Sequence, residues 1–307
     1  MNIYDFFKKF PDENSARQYF EEKRWGSVKV CPHCGSANIS ECKNHIPMPY
    51  RCKDCRKHFS VRTGTILEES RLPLQKWLLA MYMLTSARKG ISSIQMAKEL
   101  GVTQKTAWFL AQRIREAWLV QNPESDNDKF GGEVEVDETF IGGKEKNKHA
   151  NKKTHEGRGG VGKRIVVGIK QRDGNVVAKQ IADTSAKTLH GFIADNVEKG
   201  TNVYTDNFKS YRGMKNYKHK SVNHSVGEYV KEQVHTNGIE SFWALLKRGY
   251  YGIYHFMSAK YLDRYVKEFS FRHNTASCSV LEFIDKTISG MQGKHLTYKE
   301  LINEQTA

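Results

Sequence analysis

Two Cys-x2-Cys pairs near the N-terminus constrain the folding of this chain more than any other feature of its sequence. Cys31 and Cys34 form the first pair, Cys52 and Cys55 form the second, and 17 residues separate the pairs. This spacing matches the four-cysteine zinc pattern, in which ~15–20 residues lie between the pairs. Four thiolates complete a tetrahedral shell and leave no position open for water, so we predict a structural Zn²⁺ ion. The alternative is four unrelated free thiols.

The other cysteines and the nearby histidines have no such spacing. Cys42 and Cys278 are expected to be ordinary thiols. Four cysteines suffice for the ion, which leaves as spare ligands His33, His45 and His58. The second half of the predicted ribbon is basic and suits either a nucleic-acid or a protein contact, through Lys53, Arg56, Lys57 and Arg62.

The charge of the chain indicates its partner. Among 307 residues, 49 Lys+Arg stand against 34 Asp+Glu, which gives a net charge of +15. The excess is +7 up to residue 130 and +8 after it, so it is spread through both parts. A polyanion is therefore expected, either nucleic acid or an anionic membrane surface.

Composition also excludes several classes of protein. The chain has no run of 18 apolar residues and no apolar segment within its first ten residues, so we expect no membrane span and no secretory signal. Six cysteines are too few for a disulfide scaffold of this length. A cytoplasmic location with reduced thiols is the expectation.

Composition and periodicity divide the chain into six segments. These are an N-terminal helical segment (1–28), the zinc ribbon (29–65), a helix-turn-helix region (66–120), a polar linker (121–130), an α/β domain (131–275) and a C-terminal helical tail (276–307).

A helix-turn-helix is predicted within residues 92–118. Ile94, Ala97 and Leu100 give the first helix an apolar face, Gly101 ends that helix, and Thr103 caps the next one. The second helix would offer side chains to a DNA groove or to phosphates, namely Gln104, Lys105, Thr106 and Arg113. The alternative is a plain helical hairpin without a DNA contact.

The α/β domain is predicted from alternating and Val/Ile-rich segments. We expect strands at Glu133–Ile141, Arg164–Lys170, Val176–Ile181 and Asn202–Thr205, a hairpin turn at 172–175, and helices at Leu189–Val197, Asn237–Arg248 and Lys260–His273.

Acidic side chains mark three positions in this domain. Asp137 lies in the first strand, Asp206 follows the short fourth strand, and Asn237 and Glu240 share one face of the next helix. Hard divalent ions bind such carboxylates, and two ions about 4 Å apart assist phosphodiester displacement. Lys247, seven residues after Glu240, would hold a substrate phosphate. Taken singly, each acid is equally well explained as a helix cap, a strand-end charge or a solvated surface residue.

The order of these motifs resembles a known family. The cysteine pairs, then VEVDETFIGGK (134–144), VYTDNFKSY (203–211) and HTNGIESFWALLKRGYYGIYH (235–255), are similar to those of bacterial insertion-sequence transposases of the DDE type. The resemblance covers roughly residues 13–275. It implies a ribonuclease-H-like catalytic core, a mixed sheet flanked by helices, behind a zinc ribbon and a helix-turn-helix region.

Carried over by position, the resemblance implies Mg²⁺ (or Mn²⁺) ligands at Asp137 and Asp206. For the third ligand, Asn237 and Glu240 are both open. Glu240 is favoured because a carboxylate binds Mg²⁺ better than an amide does. Glu138 points to the opposite strand face and is not expected to be a ligand.

Basic residues surround these motifs. Residues 144–164 are rich in lysine, arginine and glycine, which indicates either a solvated loop or a loop that grips DNA. The candidates for DNA contact there are Lys152, Lys153, Arg158, Lys163 and Arg164. Lys247 and Arg248 begin a segment in which cations alternate with aromatics, which suits DNA backbone and unpaired bases.

The resemblance implies a transposase that recognises terminal inverted repeats and cuts and transfers double-stranded DNA as a dimer or larger homo-oligomer, near the nucleoid. Two alternatives stay open. One is a nuclease of the same fold without strand transfer. The other is a DNA-binding regulator without enzymatic activity, which would not need the metal-binding aspartates Asp137 and Asp206.

Overall fold

The computed structural model describes residues 1–42, 44–119, 129–143, 149, 151, 153, 160, 162–222 and 235–303. In these residues the helices are α1 (Ile3–Lys9), α2 (Glu13–Trp25), α3 (Leu74–Ser86), α4 (Ser93–Leu100), α5 (Gln104–Ala117), α6 (Ala186–Asn196), α7 (Asn237–Gly249), α8 (Ala259–Asn274), α9 (Val280–Ser289) and α10 (Tyr298–Asn303). The strands are β1 (Ile39–Glu41), β2 (Tyr50–Cys52), β3 (His58–Phe59), β4 (Glu133–Ile141), β5 (Arg164–Gln171), β6 (Val176–Ile181), β7 (Asn202–Asp206) and β8 (Lys218–Val222).

The chain divides into two compact units, and the first of them is discontinuous in sequence. The first unit consists of Met1–Val120 together with Ser277–Gln305. The second unit is formed mainly by Gln121–Ala276. The segment that we expected to be a C-terminal tail therefore packs with the N-terminal part. The buried indole of Trp118 donates a hydrogen bond to Thr287 Oγ1 (3.0 Å), and Tyr19 donates one to Asp285.

In the first unit, a small antiparallel sheet carries the cysteine pairs. Its strand order is β1-β2-β3, with Ile39 opposite Cys52 and Tyr50 opposite Phe59. Tyr50 and Phe59 are buried, and Trp25 packs edge-on against both rings. So few strand residues bury little apolar surface, and a ribbon of this size usually needs a metal ion as well.

The second unit is built on a five-stranded mixed sheet in the order β6-β5-β4-β7-β8. β6, β5 and β4 pair antiparallel, whereas β4 with β7 and β7 with β8 pair parallel. The helix α6 supplies the crossover to β7. Three antiparallel strands followed by two parallel ones make up the ribonuclease-H-like sheet, and the predicted fold class is confirmed.

Helices cover both faces of the sheet because β4 and β5 carry buried side chains on each side. α6 packs against Val134, Val136 and Val167 in one cluster. α7 and α8 pack against Ile141 and Val166 in the other. On β4, residues Glu133, Glu135, Asp137 and Thr139 therefore face α7, since alternate residues of a strand share a face.

The edge strand β6 is covered by α8. The side chain of Asn274 accepts a hydrogen bond from Val176 N (2.7 Å) and donates one to Val176 O (2.9 Å). Asp263 accepts from Gln180 N (3.0 Å). These bonds satisfy backbone groups that an exposed edge would offer to another chain.

Most of the expected strands and helices of the second unit agree with the structure. β4 and β6 have the predicted bounds, whereas β8 was not predicted. The polar linker falls largely outside the described residues. Of the described helices, none is both long and apolar enough to cross a bilayer.

We expect Thr287→Val to destabilise the first unit by about 1–3 kcal/mol, because it leaves the buried Trp118 indole N–H without its acceptor. Urea unfolding followed by tryptophan emission measures the change. The matched control is Thr85→Val, since Thr85 Oγ1 only donates to Met81 O within its own helix. Equal losses in the two variants would contradict the role of the Trp118–Thr287 bond.

Candidate active site and zinc centre

The four predicted cysteines come together in the zinc ribbon. Their Sγ atoms all lie within 4.8 Å of one another, with 3.7 Å from Cys31 to Cys55 and 3.6 Å from Cys34 to Cys52. A tetrahedron with Zn–S bonds of about 2.3 Å has S–S edges of about 3.8 Å. The four cysteines that the spacing predicted therefore lie together, and their geometry fits a zinc ion.

The spare histidines have other partners. His45 Nδ1 lies 3.0 Å from Met48 O, and the His45 and His58 rings stack with centroids 4.3 Å apart. His33 Nε2 lies 3.4 Å from His58 O. Hydrogen bonds from the backbone N–H of Cys55 and of Asp54 lower the pKa of Cys52 to about 7, which favours the thiolate that a metal ion requires.

The predicted helix-turn-helix segment forms two helices joined by a tight turn. Gly101 adopts the left-handed conformation (φ 61°, ψ 49°), and Thr103 accepts a hydrogen bond from Thr106 N at the start of α5. Gln104 and Lys105 are exposed, while Thr106 is half-buried. These three residues lie in the first turn of α5, and the DNA contact expected of them stays a prediction.

Two residues of this segment lie elsewhere than we expected. Arg113 is only 5% exposed, lies over the rings of Trp77 and Phe109, and donates a hydrogen bond to Glu68 O. The guanidinium of Arg113 therefore stabilises the core, and the prediction that it is offered to a DNA groove or to phosphates was wrong. Ile94 is 61% exposed, and the buried face of α4 instead consists of Met96, Ala97 and Leu100.

The carboxylate of Asp137 lies near the middle of β4, on the face that α7 covers. Trp243 Nε1 donates a hydrogen bond to Asp137 Oδ2 (3.0 Å). Gly168 is directly opposite Asp137 on β5, and a Cβ there would come within 2.7 Å of the Trp243 ring. The glycine therefore makes the room in which the indole reaches the acid.

Negative neighbours act on this carboxyl. Burial, together with the charges of Glu138 and Asp206, raises the pKa of Asp137 to about 7. Burial also raises the pKa of Glu138, with a smaller contribution from Asp206. A divalent cation would relieve this repulsion, and oxygen donors are the ligands that Mg²⁺ prefers.

Asp206 ends β7, the parallel neighbour of β4. Glu135 on β4 is paired with Tyr204 on β7. Asp137 lies two residues after Glu135, and Asp206 lies two residues after Tyr204, so the two aspartates are at the same level of the parallel strands. Asp206 Oδ1 accepts a hydrogen bond from Phe208 N (3.0 Å), which holds the carboxylate at the turn. Glu138 points to the other face, where Tyr211 donates to it (2.6 Å), as the alternation predicted.

The third candidate ligands lie in the first turn of α7. Asn237 and Glu240 are exposed, and Thr236 Oγ1 donates to Glu240 Oε1 (3.1 Å). In the part of the chain that the structure describes, only the four cysteines bring three or more ligand atoms within 4.8 Å of one another.

The predicted basic residues have different surroundings. Arg164 and Arg248 are exposed, while Lys163 and Lys247 are half-buried. Lys153 is described and half-buried, whereas Lys152 and Arg158 lie outside the described residues. After α7 the chain forms a short π-helix over Tyr250–Tyr254, and it leaves Tyr251 49% exposed and Phe256 71% exposed.

One buried acid of the same strand face was not among the predicted residues. Glu135, two residues before Asp137, is 2% exposed and contacts the start of α7. The alternation Glu133, Glu135, Asp137 is visible in the sequence. Its partner lies 104 residues further along the chain, and no local pattern indicates that contact.

Two family models match the chain. The ISXO2-like transposase domain matches residues 129–274, and the transposase zinc-ribbon domain matches residues 11–58.

Two relatives were found by sequence. A protein of the transposable element ISH50 of Halobacterium salinarum is 28% identical over 254 residues, which cover 78% of this chain and 84% of that protein. A transposase-like protein of Haemophilus influenzae is 26% identical over 113 residues, which cover 36% of this chain and 90% of that protein.

Among solved structures, a Mos1 transposase paired-end complex with the left transposon end aligns with 72% of this chain and 80% of its own, at 13% identity and a TM-score of 0.22. A pre-cleavage Mos1 transpososome aligns with 96% of each chain, at 13% identity and a TM-score of 0.20.

Removal of zinc should unfold the ribbon and leave the α/β unit folded, because the cysteines belong to the first unit alone. We expect about one zinc ion per chain by metal analysis, and its loss in Cys52→Ala. Circular dichroism and limited proteolysis of that variant measure the remaining structure. The matched control is Cys42→Ala, which should keep the ion, and loss of zinc in both variants would contradict the site.

Asp137→Asn should stabilise the protein at pH 8 in buffer without added divalent ions. The folded state binds a proton on Asp137 up to about pH 7, whereas the unfolded chain releases it near pH 4, so wild-type stability falls as the pH rises between these values. The gain should be on the order of 4 kcal/mol at pH 8 and vanish towards pH 4. Urea unfolding at both pH values measures it.

The control for this prediction is Asp183→Asn. Hydrogen bonds from Ser185 lower the pKa of Asp183, so its charge stabilises the fold above pH 4 and its removal should give no gain at pH 8. A loss of stability in Asp137→Asn at pH 8 would contradict the repulsion that we infer at the site.

Proposed function

Because this chain belongs to the DDE transposases of insertion sequences that carry an N-terminal zinc ribbon, we propose that it binds the terminal inverted repeats of its element, cleaves the DNA there and transfers the freed ends to target DNA. The family assignment rests on the two domain matches and on the relative from a transposable element. The individual steps are our proposal.

The observation that carries the proposal is the pair of aspartates on neighbouring parallel strands. Asp137 on β4 and Asp206 on β7 are close enough for the charge of one to raise the pKa of the other. The helix α7, whose Trp243 donates a hydrogen bond to Asp137, carries Glu240 in its first turn. A site that only stabilised the fold would gain by pairing these acids with cations. The repulsion is instead consistent with a site that receives cations and DNA phosphate.

We assign the ions to Asp137, Asp206 and Glu240, with Asn237 as the alternative third ligand. Bound Mg²⁺ or Mn²⁺ would supply charge stabilisation at the attacking and leaving oxygens of a phosphodiester. In the first step, water forms a P–O bond while the bond to the 3′ oxygen breaks, and the strand ends in a 3′-OH. In the second step, that hydroxyl attacks a target phosphodiester, and one P–O bond replaces another.

The remaining residues would bind and orient the DNA. Lys247, seven residues after Glu240 on α7, would hold a phosphate beside the reacting group, and Arg248 and Arg164 would contact the backbone. In the first unit, the exposed first turn of α5 would read the repeat through Gln104, Lys105 and Thr106. The active assembly would be a dimer or larger, since two element ends react together.

The test is cleavage of labelled terminal-repeat DNA with Mg²⁺ or Mn²⁺, with a target plasmid present to detect strand transfer. We expect Asp137→Asn and Asp206→Asn to lose cleavage and joining by more than about 100-fold while they still bind the repeat. The matched control is Asp183→Asn, which should keep both reactions. If the wild type binds but neither cuts nor joins, the proposal fails.

The same assay distinguishes the third ligand and the alternative reaction. If Glu240 is the ligand, Glu240→Gln should be as inactive as Asp137→Asn, and Asn237→Ala should keep cleavage. The opposite pattern would assign Asn237. Cleavage without any joined product would favour a nuclease of this fold over a transposase.

A further inference from the structure

The buried carboxylate of Glu135 lies two residues before Asp137, on the same face of β4. Only 2% of this residue is exposed, and carboxylates this deeply buried need compensating partners. It is directly opposite Lys170 on β5, and it pairs with Tyr204 on β7.

The partners of Glu135 lie at the start of α7. Ile239 N, in the first turn of that helix, donates a hydrogen bond to Glu135 Oε2 (2.8 Å). His235 Nδ1 lies 3.2 Å from Glu135 Oε1, and Arg172 Nη2 lies 4.0 Å from it. The residue at the N-cap, Thr236, makes no capping hydrogen bond with its side chain. Glu135 therefore performs, from another element, the task of an N-cap residue.

Gly238 allows the helix to approach this closely. A Cβ at that position would lie 2.7 Å from Glu135 Oε2 and 3.1 Å from Lys170 Cδ. Any side chain at residue 238 would displace the carboxylate from Ile239 N. The contact thus depends on a glycine in the first turn of α7.

A second bond joins the same strand to the same helix. Trp243 Nε1 donates a hydrogen bond to Asp137 Oδ2 (3.0 Å). Trp243 lies four residues after Ile239 on α7, and Asp137 lies two residues after Glu135 on β4. Four helical residues rise about 6 Å and two strand residues about 6.8 Å, so the two bonds are similarly spaced along the helix and along the strand. Glu240 lies on α7 between the two points of attachment.

We propose that Glu135 is a positioning residue, which sets the start of α7 against β4 and thereby the distance from Glu240 or Asn237 to Asp137. This rests on the proposed function for its catalytic consequence. Because Glu135 is only 2% exposed, we assign it no contact with DNA or with metal. It acts through the first turn of α7, and the strand that bears the first ligand thus also fixes the helix that bears the third.

The test compares Glu135→Ala, Glu135→Gln and Gly238→Ala with the control Glu133→Gln. Glu133 lies on the same strand face, and its carboxylate accepts hydrogen bonds from Arg172 and Tyr204. In single-turnover cleavage at saturating DNA, we expect Glu135→Ala and Gly238→Ala to lower the rate about 10- to 100-fold and to raise the Mg²⁺ concentration for half-maximal rate. DNA affinity should stay within about twofold of the wild type. Glu135→Gln keeps an acceptor and should recover most of the rate.

A second readout does not need any reaction. The indole N–H signal of Trp243 in a ¹⁵N spectrum, assigned with Trp243→Phe, should move in Glu135→Ala and Gly238→Ala and stay in place in Glu133→Gln. Adding Gly238→Ala to Glu135→Ala should cause no further movement, because both changes break the same contact.

The outcomes separate the two proposals. An unmoved Trp243 signal with unchanged Mg²⁺ dependence in both Glu135→Ala and Gly238→Ala would overturn the positioning role, even if cleavage occurs as proposed. If the wild type cannot cleave, the proposed function fails, and the Trp243 signal still decides whether Glu135 sets α7. If Glu135→Ala does not fold, Gly238→Ala and Glu135→Gln decide both points.

Discussion

The placement of three carboxylates on one face of β4, with Glu135 buried and Glu133 and Asp137 half-buried, is the constraint on which the second unit depends. Glu133 is compensated by Arg172 and Tyr204, and Glu135 by the start of α7. Asp137 accepts hydrogen bonds from the Trp243 indole and from the backbone of Glu138, but it has no cation to offset the charges of Glu138 and Asp206 among the described groups that act on its pKa. Within the 9 residues of β4, the first two acids have compensating partners, whereas Asp137 is repelled by its negative neighbours. Cations and phosphate would bind at the end of the strand where Asp137 lies. The paired acids stabilise the fold that holds the unpaired one in position.

Local patterns in the sequence were enough to predict the central parts of the fold. The alternation of β4 gave its bounds and the faces of Asp137 and Glu138, because a buried sheet requires a period of two. The cysteine spacing predicted the zinc centre, since the ligands of each pair lie in one turn.

Other features could not be predicted from local patterns. β8 was not predicted because it is a polar edge strand, with Val222 as its only buried residue, and apolar alternation is therefore absent. Arg113 was misassigned since nothing local distinguishes an arginine that packs between aromatic rings from one that contacts DNA. The partner of Glu135 depends on tertiary structure, which no pattern around residue 135 specifies.

Charge in this protein has opposite signs on two length scales. The whole chain carries +15, which attracts a polyanion over distances of about a Debye length, roughly 8 Å at physiological salt. At Asp137 and Asp206 the local charge is negative, so phosphate would be repelled until divalent ions reverse the sign. Attraction to DNA and readiness for chemistry are therefore separate requirements. The first is supplied by side chains spread over the sequence, and the second depends on an ion from solution.

The discontinuity of the first unit has a consequence for how the chain is made. Trp118 and Tyr19 find their hydrogen-bond partners on α9, which leaves the ribosome only after the whole α/β unit. At about 5–20 residues per second, the 156 residues from Gln121 to Ala276 take roughly 10–30 s to synthesise. At the end of that time the five strands of the α/β sheet have all been synthesised, while the zinc-ribbon part still lacks its closing helix. The part of the protein that is translated first is therefore the part that is completed last, and a nascent chain acquires its ribonuclease-H-like core before its N-terminal unit is whole.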